Sequence, residues 1–129
     1  MSTSYAFNAR ECFVSALQEY ERAQEFEYVF GERFMMHYLG CCLEVLHGID
    51  LIKTHLKENR EKEAKQIRDV IRDLDVRQLK SQQSQYRKVL KKYYNGDKDA
   101  IDVDELKKYE TFFTTNVKVM IELLDDILK

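Results

Sequence analysis

The sequence predicts an all-α fold: an up-and-down helical bundle of four helices, the third of them long and open to a break near residue 75. Three observations carry this expectation. The chain has no proline and only four glycines in 129 residues, and these are the residues that break helix interiors and punctuate strands and turns. Apolar residues recur at helical spacing through most of the length. Capping-box pairs, a short polar acceptor followed three residues later by Glu or Gln, mark several places where a helix can begin. The length suits one domain over residues 1–129, large enough to bury a core without disulfides or a metal.

Asn8 and Glu11 form the first capping box, with Phe7 and Cys12 in the staple positions around it. From there Phe13, Leu17, Tyr20 and Ala23 or Gln24 recur on one face. The end of this helix is weakly marked. Between Asn8 and Asp50 the only Ser, Thr, Asp or Asn is Ser15, so no strong N-cap announces a second helix. Gly31 is the breaker, and it predicts a turn or kink near 28–33.

The second helix, residues 32–57, carries a seam of Met35, Tyr38, Cys42, Val45, Ile49, Ile52 and Leu56. Phe34, Met36, Leu39, Cys41, Leu43 and Leu46 fall off that line onto other faces. Fourteen of the 21 residues from Phe26 to Leu46 are apolar. A helix apolar nearly all round is surrounded, by its own domain or by a partner. Gly40 and Gly48 within it allow another element to approach closely.

Lys57–Arg60 reads as a turn into the third helix, which starts near Glu61 and points Ala64, Ile67, Ile71 and Leu74 inward. Asp75 and Gln78 repeat the capping-box spacing, and the apolar phase slips there before resuming at Leu79, Tyr86, Val89 or Leu90, and Tyr93. The polar stretch Ser81–Gln85 predicts a solvated middle. Asn95-Gly96 opens a loop that closes where Asp102 and Glu105 form another box. The last helix, about 103–128, buries Leu106, Tyr109, Phe113, Val117, Met120, Leu124 and Ile127 or Leu128.

Net charge is −2, but it is segregated. Residues 1–59 carry five basic and nine acidic side chains, residues 60–92 eleven and five, and residues 93–129 five and nine. The simplest expectation is that a cationic middle third is neutralised by anionic flanks packed beside it. Three cysteines, with Cys41 and Cys42 adjacent, make a poor disulfide framework and suit a reducing, cytoplasmic setting. Residues 1–13 lack the basic and apolar regions of a secretory signal, and no run of 18 apolar residues predicts a membrane span.

No motif points to an enzyme: there is no Gly-rich phosphate loop and no HExxH. Arg33 and His37 are separated by three residues, fewer than the four to six of the catalytic pair in HEPN-type ribonucleases, and no activity follows from them. Residues 95–105 share the acidic second half of a calcium loop, but Tyr94, Gly96 and Lys98 stand where oxygen ligands belong. Glu44 and His47 form a single ExxH pair, and His37 and Cys41 lie one turn apart, short of a complete metal site. No cofactor is expected; a metal- or calcium-binding bundle is the least favoured alternative.

What remains is a non-catalytic, regulatory or adaptor bundle that self-associates or binds a protein partner through the apolar 26–46 region. Phe26, Tyr28, Phe30, Phe34 and Met36 are its candidate contact residues. The alternative is nucleic-acid binding through the basic 86–92 segment, where Arg87, Lys88, Lys91 and Lys92 form a candidate anion-binding patch.

Overall fold

The computed structural model describes the backbone of residues 2–25, 31–100 and 110–129, and the side chains of residues 5–23, 35–100 and 113–129. Among the described residues it shows five helices and no strand: α1 (Ser2–Glu25), α2 (Gly31–Glu58), α3 (Ala64–Leu74), α4 (Val76–Tyr94) and α5 (Glu110–Leu128). Because α3 and α4 are two arms of one bent rod, the architecture is a four-rod bundle.

α1 starts at Ser2, ahead of the Asn8–Glu11 box, which lies inside the helix. The reason is packing. Ala6 and Ala9 continue the seam of Phe13, Ala16, Tyr20 and Ala23, all buried, and contact with α2 extends the helix past a local capping signal. The pairs Cys12–His47, Phe13–Gly48 and Glu19–His37 run in opposite directions along the two helices, so α1 and α2 are antiparallel and the chain reverses between Glu25 and Gly31. The expected break at 28–33 therefore separates two antiparallel helices; Gly31 opens α2, and residues 26–30 lie outside the described residues.

α2 buries its whole expected seam from Met35 to Leu56, and Cys41 besides. By length and composition, Met35–Glu58 also meets the measure of a membrane-crossing helix, as the central helix of a packed bundle does. Tyr38 is the hub: its ring meets Tyr86 of α4 edge-on at 5.4 Å and Phe113 of α5 at 6.2 Å. α5 lies antiparallel to α1, with Phe113 beside Tyr38 at one end and Asp125 paired with Arg10 at the other. The rods close as α1 on α2, α2 on α4, α3 on α5 and α5 on α1, with Phe113, Val117, Met120 and Leu124 turned inward. The expected Leu106 and Tyr109 lie outside the described residues.

The expected irregularity at residue 75 is a sharp joint. Asp75 adopts a left-handed conformation (φ 52°), ends α3 through its N–H to the Arg72 carbonyl, and caps α4 by accepting the Gln78 N–H at 3.2 Å. One residue ends one helix and begins the next. The polar stretch that follows departs from expectation: Ser81, Ser84 and Gln85 are exposed, but Gln82 and Gln83 are buried. They fall in phase with Leu79, Tyr86 and Leu90, and helical register carries them into the interface despite their polarity.

At the far end of α2, His55 is buried and holds the turn into α3. Its Nε2 lies 2.9 Å from Glu61 Oε1, while Asn59 Nδ2 donates to the His55 carbonyl at 3.0 Å and lies 3.4 Å from Nδ1. α4 ends at Tyr94, where Gly96 takes φ 112° and its N–H reaches the Tyr93 carbonyl.

Candidate functional site

Three rods cannot cover a fourth on every side, and α2 shows where the covering stops. Met36 is 53% and Leu43 47% exposed, while Leu39 and Leu46 are half-buried against the core. The spacing 36, 39, 43, 46 places all four on one face, a strip about 15 Å long at 1.5 Å per residue. Four apolar side chains in contiguous array differ from the scattered apolar residues any surface carries.

Both flanks of the strip are built by neighbours. On one side α1 packs close, with the Phe13 ring lodged over Gly48, the Glu19 carboxylate over Gly40, and Cys12 Sγ 3.5 Å from His47 Nδ1. Glu19 also meets His37 Nδ1 at 2.8 Å and Arg22 at 3.0 Å. On the other side the end of α4 leans in, and the Tyr94 hydroxyl donates to Met36 Sδ at 3.4 Å.

α4 gives that flank its charge. It carries Arg77, Lys80, Arg87, Lys88, Lys91 and Lys92 and no acidic residue. All six are exposed, and among the described residues none makes an ion pair. Arg10–Asp125 joins α1 to α5, both of them net acidic; among the described residues no ion pair links a cation of residues 60–92 to an acidic side chain of either flank. Arg87 and Lys91 stand seven and three residues before Tyr94, on the same side of α4 as the tyrosine that reaches Met36. Lys88 and Lys92 turn further out. Lys98 sits 4.7 Å over the Tyr93 ring.

Of the residues the sequence singles out, Met36, Arg87, Lys88, Lys91 and Lys92 are thus exposed at one end of the molecule. Phe26, Tyr28 and Phe30 lie outside the described residues; Phe34 belongs to α2, with its side chain outside them. Leu39 and Leu43 join the surface without having been singled out. Their signal was their position off the buried seam.

The groups with possible chemistry are dispersed. Among the described residues no three of His, Cys, Asp and Glu stand close enough together to hold a metal ion. Burial, reinforced by nearby Glu44, pushes the Cys12 thiol up to about 11; burial pushes Cys42 up to about 12 and Cys41 well above the ordinary range. In the 95–100 loop, Asp97 accepts the Asp99 N–H at 3.2 Å, an ordinary turn bond. The rest of the possible calcium loop, from Ile101, lies outside the described residues. Compared with protein-family models, curated proteins and solved structures, the chain finds no match.

Proposed function

We propose that the chain is a non-catalytic interaction module that binds a protein partner across the outward face of α2. The observation that carries this reading is the apolar strip Met36–Leu39–Leu43–Leu46, met at Met36 by Tyr94 of α4, whose side also carries Arg87 and Lys91, neither in an ion pair among the described residues. A strip of this width and length accepts the apolar face of one amphipathic helix, read as anchors at i, i+3, i+4 and i+7. The cations favour acidic residues along the edge of that helix nearest α4, which steers encounter and fixes its direction. The apolar contact supplies affinity and the charge supplies orientation. Affinity capture with the intact chain, Leu43→Glu, and the Arg87→Glu/Lys91→Glu pair tests the reading. It predicts one protein retained by the intact chain and lost from both variants. Retention by Leu43→Glu refutes the strip as the contact; a dimer of the chain abolished by Leu43→Glu makes the partner a second copy.

The six exposed cations of α4, none in an ion pair among the described residues, support a second reading, nucleic-acid binding. A complex through Arg87, Lys88, Lys91 and Lys92 involves about four phosphates. Its log affinity therefore falls against log salt with a slope near −3 to −4. Neutralising all four abolishes binding to a duplex probe, whereas unchanged affinity eliminates this reading.

A further inference from the structure

The opposite end of α2 holds a pocket that neither reading uses. It is half open, encloses about 280 Å³, and is lined by Lys53, Leu56 and Lys57 of α2 and Arg68 and Ile71 of α3. Leu56 and Ile71 are buried and form an apolar floor. Lys53, Lys57 and Arg68 are exposed at the rim, and among the described residues none of the three makes an ion pair. Nearby Asp69 is engaged by Arg72 at 3.3 Å. Lys53 and Lys57 are four residues apart on one helix, a spacing at which like charges repel. Arg68 adds a third positive charge from the facing helix. Three cations held around a greasy floor, none of them in an ion pair among the described residues, leave a positive potential that an anion relieves.

We propose that this pocket binds a small carboxylate with a linear apolar tail. The carboxylate lies between Lys57 and Arg68, with Lys53 adding charge, and the tail covers Leu56 and Ile71. Volume sets the size. At about 30 Å³ for each water-sized group, 280 Å³ holds roughly nine or ten non-hydrogen atoms, the size of a medium-chain carboxylate. A bare inorganic anion leaves the floor wet, and a neutral alcohol leaves the cations unrelieved.

The test is an amide-resolved NMR titration of the full chain with octanoate, with octanol and inorganic phosphate as parallel arms. The expected result is saturable shifts at residues 53–57 and 68–71, with octanol and phosphate at least 10-fold weaker. Lys57→Gln and Arg68→Gln, both at exposed positions, each weaken octanoate at least 5-fold with the spectrum otherwise folded. Three outcomes overturn the proposal: no saturation, octanol or phosphate binding as well as octanoate, or shifts centred on residues 36–46. The last would place the ligand on the α2 strip. Met36→Lys, which alters that strip, is expected to leave octanoate binding unchanged, so this proposal and the protein-partner reading fail separately.

Discussion

Two glycines in one helix give the sharpest test of how α2 is packed. A Cβ built on Gly48 would stand 2.9 Å from Phe13 Cε2 and 3.0 Å from Cζ, closer than such atoms approach, whereas one on Gly40 meets Glu19 no nearer than 3.5 Å. Both Gly→Ala changes gain about 1 kcal/mol of helix propensity. Gly40→Ala keeps that gain, since its new methyl makes ordinary contact. Gly48→Ala drives a methyl into a ring with no exposed surface to retreat to, and overpacking of this kind costs about 1–3 kcal/mol. The two variants should therefore differ by about 1–3 kcal/mol, with Gly40→Ala the more stable. For a domain of this length 1 kcal/mol moves Tm by roughly 3–5 °C, so the gap is about 8 °C at the middle of the range. Urea unfolding followed by circular dichroism at constant m measures it directly. Adding Phe13→Leu should erase most of the Gly48→Ala penalty, because the two changes meet at one contact. Equal stability of the two alanine variants, or Gly48→Ala above Gly40→Ala, would refute the close approach of α1 and α2 at this point.

Other consequences follow from buried polar groups. Gln83 is buried, and its Nε2 has no hydrogen-bond partner among the described residues; Gln83→Leu should raise stability by about 1–2 kcal/mol in the same assay, and a loss would mean that the amide is satisfied. His55→Ala removes the partner of Glu61 and opens a cavity beneath the turn into α3, for a loss of about 2–3 kcal/mol; a change below 0.5 kcal/mol, within the range of roughly ±0.5 seen at ordinary surface sites, would count against that role. All three thiols should resist iodoacetamide at pH 8 in the folded chain and react together in urea, and rapid labelling of Cys12 without denaturant would contradict its burial. The sign of the pH effect follows from the raised thiols. As pH climbs past 9 the unfolded chain releases thiol protons that the folded chain retains to about 11 at Cys12 and about 12 at Cys42. Stability is therefore full below about 9 and falls above it. Equilibrium unfolding at pH 8 and pH 10 measures the difference.

Much of the fold is legible residue by residue because periodicity and capping agree. The seam from Met35 to Leu56 and the joint at Asp75 are readable since each rests on local rules, 3.6-residue spacing and side-chain capping, that tertiary packing reinforces. The start of α1 is not readable from its capping box. Ala6 and Ala9 are small, and only the close approach of α2 shows that they are core. The burial of Gln82 and Gln83 runs against composition and obeys register, so a polar run was a poorer guide than phase. Charge segregation is plain in the sequence, but whether charges pair depends on which faces meet, and the cations of α4 face outward. The candidate surface is half legible for the same reason. Surplus apolar residues on α2 are countable, yet which of them escape cover is decided by where α1 and α4 sit. The rim of the pocket at the far end of α2 unites residues of α2 and α3 that the turn at 59–63 brings together.

The protein-binding reading is tested most directly by placing a photo-crosslinking amino acid at position 43 of the otherwise intact chain, with position 122 on α5 as an exposed comparison. Irradiation in native extract should give one discrete adduct from position 43 and none of the same mass from position 122. The Arg87→Glu/Lys91→Glu change should diminish that adduct, and its captured peptide should read as an amphipathic helix with an acidic edge. No adduct at 43, or the same adducts at both positions, would contradict the claim that the outward face of α2 is where this protein meets its partner.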